Sequence, residues 1–267
     1  MTAHPAARPP LALSLSEPGR ALADIGLGLA AWPLVTRLPR GDGRPVLVLP
    51  GLLADDARTR TLRSVLRRLD HRAHGWGLGR NLGPTAECVA GLRRRLTSLA
   101  DRYGQPVTLV GWSLGGIFAR ELARRHPGDV EQVVTLGSPF ALTCPQQTRA
   151  SAVFSHFAPL HAAGFTFPLA GEAAAMPVPA TSIYSPVDGI VHWRACLQTP
   201  GPTAENIAVR ASHLGLTHSP AVHYALADRL AQPPGQWRPF AAPAVLRLAF
   251  PRPAVLSAPA PEPAAAA

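Results

Sequence analysis

Val107-Thr108-Leu109-Val110-Gly111-Trp112-Ser113-Leu114-Gly115-Gly116 decides how this chain folds. Residues 107 to 110 read as a strand, and Leu114 to His126 reads as a helix that Pro127 and Gly128 stop. Ser113 therefore stands at a strand-to-helix turn. Such a turn needs small residues two positions away on both sides, because a side chain there would strike the neighbouring strand or helix. Gly111 and Gly115 meet that need, and Gly116 relaxes the packing further.

The same alternation continues in both directions. Upstream, Val46-Leu47-Val48-Leu49 is an unbroken apolar run, the pattern of a strand buried on both faces of a parallel sheet. Leu62, Val65, Leu66 and Leu69 then recur at helical spacing, with Arg63, Arg67 and Arg68 on the other side. A weaker strand is expected around Gly75 to Leu82, followed by a helix carrying Cys88, Val89, Leu92, Leu96 and Leu99 that ends near Gly104. Downstream come strands at Val130 to Leu136, Thr181 to Tyr184 and Ile207 to Val209, and a closing helix from Ala221 to Ala231. Strand and helix at crossover spacing predict an α/β fold, a three-layer αβα sandwich with a mostly parallel central sheet.

Around this body, residues 44–232, the expected organisation has four further parts. Residues 1–17 form a flexible Pro/Ala-rich segment, and 18–43 a helix-like segment and linker. Residues 233–256 are Pro-rich, with Trp237, Phe240, Val245, Leu246, Leu248 and Phe250 as apolar anchors that wrap the domain, and 257–267 form a disordered tail. The interval 140–178, with Phe154, Phe157, Phe165 and Phe167, reads either as a small cap over the sheet edge or as a long connection.

A formal charge of +10 invites a nucleic-acid reading, but the arginines cluster on helix faces, Arg60 to Arg68 and Arg93 to Arg95, where solvated residues belong. With no zinc finger, RNP-like pair or continuous basic helix, no specific nucleic-acid partner is expected. Cys88, Cys144 and Cys196 contain no close pair, which speaks against a disulfide framework or thiolate zinc site and for free thiols in a reducing compartment, one disulfide remaining open. The N-terminus lacks the pattern of a cleaved secretory signal. In the apolar stretch Ala21 to Val35, the uncharged part from Ile25 is 11 residues, too short to cross a hydrocarbon core of roughly 30 Å. It packs on the domain or lies along a membrane surface; the expected location is cytoplasmic, with peripheral membrane association left open.

Ser113 on such a turn projects above the carboxyl ends of the strands, beside the partly positive start of the next helix. A serine hydroxyl is a weak nucleophile without a base. Of the histidines downstream, His126 ends the serine's own helix and His156 and His161 fall in the interval 140–178, whereas His213 follows a strand in Ala211-Ser212-His213-Leu214-Gly215. His213 is the favoured base and His218 its competitor. Asp188, in Ser185-Pro186-Val187-Asp188-Gly189, follows another strand and is the candidate acid, against the plainer reading of a carboxylate capping its own Asp-Gly turn. An oxyanion hole would use the N–H of Leu114 and one from Leu49-Pro50-Gly51-Leu52-Leu53, with Leu52 preferred over Leu53. No metal or other cofactor is called for.

On these motifs the chain resembles the α/β-hydrolase superfamily, and within it the bacterial lipases and carboxylesterases. The resemblance covers roughly residues 44 to 232 and rests on Leu49 to Leu53, Gly111 to Gly116, Ser185 to Val191 and Ser212 to Gly215. It implies the same roles for Ser113, Asp188 and His213. Two departures stand out: Pro50-Gly51 where many members have His-Gly, and Trp112 where histidine or tyrosine is common. The expected activity is hydrolysis of carboxylic esters, apolar acyl esters or lipids, through an acyl-enzyme. Alternatives are an acyltransferase using the same triad and a non-catalytic scaffold that binds lipid or protein.

Overall fold

The computed structural model describes residues 8–162 and 175–254. Six strands, β1 (Pro45–Leu49), β2 (Arg72–Gly75), β3 (Val107–Trp112), β4 (Val130–Leu136), β5 (Ala180–Tyr184) and β6 (Ala204–Ala208), form one sheet in the order β2-β1-β3-β4-β5-β6. Every pairing is parallel. The helices are α1 (Leu11–Leu15), α2 (Glu17–Ala31), α3 (Arg60–Arg68), α4 (Ala86–Tyr103), α5 (Leu114–Arg125), α6 (Ser151–His156) and α7 (Pro220–Leu230).

Both faces of the sheet are covered, because successive side chains of a strand point to opposite sides. Val46 and Val48 of β1 join Leu62 and Leu66 of α3 and Val222 and Leu226 of α7 in one core. Leu47 and Leu49 join Leu92 and Leu96 of α4 and Ile117 and Phe118 of α5 in the other. The expected three-layer αβα sandwich is the fold observed.

Two strands sit earlier than their apolar signal. β2 covers Arg72–Gly75, before the glycine-rich stretch, where Gly77, Gly79 and Gly83 take positive φ in a loop. β6 starts at Ala204, paired with Ala180 of β5, and includes the polar Glu205 and Asn206, Asn206 exchanging hydrogen bonds with the Gln198 backbone at 2.8 and 3.0 Å. Helix α4 ends where expected, on Gly104 in the left-handed conformation.

Outside this body, α1 and α2 pack on the loops that follow β5 and β6, and α1 falls within the stretch 1–17 read as flexible. Toward the other end, Phe240 and Phe250 pack on each other and on Tyr224 of α7, and the Ala254 N–H donates to the Tyr184 hydroxyl at 2.6 Å. In the interval 140–178, α6 follows a short 3-10 turn at Pro145–Gln147. Phe165, Phe167 and the tail 257–267 lie outside the described residues. Among the described residues, no helix is long and apolar enough to cross a membrane, and Cys88, Cys144 and Cys196 are all free.

Candidate active site

Ser113 has φ 53° and ψ −121°, a backbone conformation that costs a non-glycine residue energy and that the surroundings must hold. They do so through a 2.8 Å hydrogen bond from its N–H to the Leu136 carbonyl and through glycines that admit the turn. A Cβ on Gly111 would overlap the backbone of Gly115 and Gly116. One on Gly115 would overlap the backbone of Leu49 and Pro50. The side-chain restriction inferred from the sequence thus has identifiable collision partners.

The three candidate side chains from separate strand ends meet. His213 Nε2 lies 3.0 Å from Ser113 Oγ, and His213 Nδ1 lies 2.6 Å from Asp188 Oδ2. Asp188 and His213 are buried, and the other carboxylate oxygen, Oδ1, accepts from the N–H groups of Ile190 and Val191 at 2.8 and 2.7 Å. Those bonds fix the carboxylate while leaving Oδ2 for the imidazole. Burial pushes the His213 pKa down, but the charge and hydrogen bond of Asp188, with a further contribution from the charge of Glu17, outweigh it and leave the pKa raised.

His218 is not the partner of Ser113. Its Nδ1 lies 3.0 Å from the Thr217 hydroxyl, and burial lowers its pKa. His161 is held by the Leu82 carbonyl at 3.1 Å, and His126 caps the end of α5. Trp112 donates its indole N–H to the His213 carbonyl at 3.1 Å, so it supports the histidine loop from behind.

The loop Leu49 to Leu53 lies against the serine: a Cβ on Gly51 would come within 3.1 Å of Ser113 Cβ. The Leu53 N–H is already committed to the Asn81 carbonyl at 2.7 Å, whereas among the described residues the Leu52 N–H has no backbone partner. Leu114 begins α5, where the first N–H groups have no partner inside the helix.

Four further groups shape the site without having been singled out in the sequence. Asn81 is fully buried and grips the loop after β1, its Nδ2 donating to the Pro50 carbonyl at 2.8 Å and its backbone N–H to the Ala54 carbonyl at 2.8 Å. Gly137, at φ 56° just after β4, lies so close to the acid–base pair that a Cβ would stand 3.3 Å from both Asp188 Oδ2 and His213 Nδ1. The Gly137-Ser138-Pro139 break at a strand's carboxyl end was the available signal for it. Glu17 and Asp24, on α2, reach the loops carrying Asp188 and His213. Nothing local in the sequence connects residues so far apart.

Beside Ser113 opens a cavity of about 250 Å³. Leu52, Leu114, Ile117, Leu142 and Phe154 make its wall apolar, α6 and the residues before it closing one side. A larger depression of about 1000 Å³ lies elsewhere, between α4 and α5, and holds none of the candidate catalytic groups.

Comparison with known proteins agrees with this architecture. No protein-family profile matches the chain. A pimeloyl-[acyl-carrier protein] methyl ester esterase of Aromatoleum aromaticum is 36% identical over 100 residues, which take in 29% of this chain and 40% of that one. Aspergillus fumigatus lipase B superposes with a TM-score of 0.52 at 16% identity, covering 73% of this chain and 55% of that chain. The chain thus spans about half the length of these two relatives, or less. A pyrethroid hydrolase gives a TM-score of 0.51 at 17% identity, covering 73% of this chain and 100% of its own. Sheet order, the strand-to-helix turn at Ser113 and these likenesses together show that the chain has the α/β-hydrolase fold.

Proposed function

We propose that the protein is a serine-dependent carboxylic ester hydrolase in which Ser113 is the nucleophile, His213 the general base and acid, and Asp188 the orienting carboxylate. One observation carries this reading: the unbroken chain from Asp188 Oδ2 through the imidazole to Ser113 Oγ, at 2.6 and 3.0 Å, ending beside an apolar cavity. His213 takes the serine proton as Oγ attacks the acyl carbonyl. The N–H groups of Leu52 and Leu114 hold the oxyanion, and the imidazolium then protonates the departing alcohol. Water, deprotonated by the same imidazole, cleaves the acyl-enzyme and releases the acid.

The wall of the cavity selects for an apolar acyl group, and its size sets the length. At about 250 Å³ it is smaller than the roughly 300–1,000 Å³ typical of pockets for drug-sized ligands, which favours short acyl chains. The relatives fit an ester substrate, one being described as a methyl ester esterase and another as a lipase. A panel of p-nitrophenyl esters of graded acyl length tests this on wild type and Ser113→Ala. The expected result is a preference for short chains and loss of activity in the variant. Equal turnover by both proteins overturns the reading. Absence of Ser113 labelling by a fluorophosphonate would instead favour a binding scaffold, and ester products formed with an added alcohol would favour an acyltransferase.

The outer side of α1 and α2 supports a peripheral membrane contact. Leu11, Leu15, Leu22, Leu27 and Leu29 are exposed there, while Glu17 and Asp24 are buried, and the formal charge of +10 suits an anionic lipid surface. Co-sedimentation with phosphatidylserine vesicles, lost in Leu22→Gln/Leu29→Gln, is the expected result; a concentration-dependent dimer without vesicle binding would assign the face to a second copy.

A further inference from the structure

Helix α2 turns its charges inward. Glu17, Arg20 and Asp24 recur at intervals of three and four, so they share one face of the helix. On an ordinary surface helix the inward face would be apolar. Here it meets backbone groups of the two loops that supply acid and base.

Glu17 is almost wholly buried, and its two oxygens divide between those loops. Oε2 accepts from the N–H of Gly189, the residue after Asp188, at 3.1 Å. Oε1 accepts from the N–H of Leu214, the residue after His213, at 2.9 Å. Arg20 donates to Glu17 Oε2 at 2.6 Å and to the Val187 carbonyl, the residue before Asp188, at 2.7 Å. Two turns further along, Asp24 Oδ2 accepts from both the N–H and the hydroxyl of Ser212, the residue before His213, at 2.8 and 2.6 Å. The residues on either side of Asp188, and those on either side of His213, are thereby tied to one helix.

The fit leaves no room for substitution. A Cβ on Gly189 would stand 2.6 Å from Glu17 Oε2 and overlap the Leu13 carbonyl, and one on Gly28 would overlap the His218 carbonyl. An ionised carboxylate taken out of water costs several kcal/mol unless donors replace the lost solvent. The donors at Glu17 are Leu214, Gly189 and Arg20, so the charge is retained only while both loops hold their positions.

We propose that Glu17 is a positioning residue for the catalytic pair: its carboxylate sets the spacing between the Asp188 and His213 loops and holds a negative charge against the imidazolium formed during turnover. This rests on the reading of Ser113, Asp188 and His213 as a catalytic triad. Glu17 lines no part of the cavity beside Ser113, so substrate binding does not depend on it directly. The charged and titratable groups facing the pair are Asp188 and Glu17 around His213; the Cys196 thiol beside Asp188; Asp188, His213 and Arg20 around Glu17; and Asp24, with Arg58 beyond it, around His218. Glu17 has its own pKa raised, chiefly by burial.

The test compares wild type, Ser113→Ala, Glu17→Gln and Glu17→Asp with a soluble short-chain p-nitrophenyl ester across pH. Glutamine keeps the size but loses the charge and one of the two acceptor oxygens; with the charge gone, less imidazolium is stabilised and the acid limb of kcat/KM moves down by roughly half a pH unit or more. Aspartate keeps the charge and loses the reach, so the limb stays while kcat falls about 10-fold or more through misplacement of the pair. KM is expected to stay near wild type in both. A wild-type profile in Glu17→Gln, with Ser113→Ala inactive, overturns this inference alone; activity in Ser113→Ala overturns the triad beneath it. A merely structural role would lower kcat at every pH and leave the limb unmoved. Should either variant fail to fold, the side-chain carboxyl 13C resonance of Glu17 in wild type decides: a step at the pH where His213 titrates is expected, and a flat trace there overturns the proposal.

Discussion

Gly137→Ala is a single-methyl change whose effect can be worked out atom by atom. Gly137 holds φ 56°, and a left-handed conformation costs an alanine about 1–2 kcal/mol. The added methyl would also lie 2.5 Å from Leu216 Cδ1, within a fully buried side chain. Forcing a methyl into such a core adds about 1–3 kcal/mol, a total of roughly 2–5 kcal/mol. At roughly 2–4 °C per kcal/mol for a chain of this size, the melting temperature should fall by about 4–20 °C. Catalysis suffers separately, because the same methyl stands 3.3 Å from both Asp188 Oδ2 and His213 Nδ1, tighter than ordinary contact. The acid–base pair must give by a few tenths of an ångström, for which a loss of about 10-fold in kcat/KM is the expected scale. Differential scanning calorimetry and ester hydrolysis measured well below the new melting temperature read the two effects apart. A variant within about 1 °C and about twofold of wild type would refute both the collision and the claim that Gly137 is small for the sake of the pair.

Asn81→Ala removes the side-chain bond to the Pro50 carbonyl from a fully buried position, freeing the loop that offers Leu52. The expected result is about 1–3 kcal/mol of lost stability and a kcat reduced more than KM is raised, since an oxyanion donor acts mainly on the transition state; an unchanged kcat would separate this loop from catalysis. Acid should destabilise the protein in a defined window. Burial holds His71 and His223 at about 4, below the ordinary 6.5, so between those values the unfolded chain binds protons that the folded chain refuses. Stability therefore falls as pH drops through that window, by about 3 kcal/mol for each histidine once both states are protonated. His213, with its pKa raised, works in the opposite sense: its contribution is present below 6.5 and fades as pH rises through its folded value. Calorimetry from pH 7 to 4 should show the melting temperature falling, and falling less in His71→Leu/His223→Leu; parallel curves would refute the assignment.

Periodicity made the sheet visible because its strands are buried on both faces. Val46 to Leu49 and, apart from the half-buried Glu131, Val130 to Leu136 have no solvent side to imitate a helix or loop. β2 was harder. It is an edge strand, Arg72 is exposed and His74 half-buried, so the apolar signal disappears where the sheet meets water. Ser113, Asp188 and His213 were accessible for a related reason: each follows a strand and occupies a turn whose neighbours are small or turn-forming. Asn81 carries no such mark, since it acts mostly through backbone and amide bonds to a loop thirty residues away, and the break after β4 marks Gly137 as a turn without showing that the absence of its side chain makes room for the pair.

The N-terminal helix shows why hydrophobic patterning can point the wrong way. On α2, Leu22 and Leu29 stand seven residues apart and would ordinarily mark the buried face, with Asp24 as an interruption of an apolar stretch. The opposite face is buried instead. A leucine turned outward forfeits about 1.5–3 kcal/mol of burial, but each buried loop donor left without its acceptor costs about 1–3 kcal/mol. Once Glu17 and Asp24 have taken the N–H groups around Gly189, Leu214 and Ser212, rotating the helix to bury its leucines would break all of those bonds together. Polar satisfaction therefore fixes the helix orientation, and the loops bearing Asp188 and His213 receive a common support that a chain starting at β1 would lack.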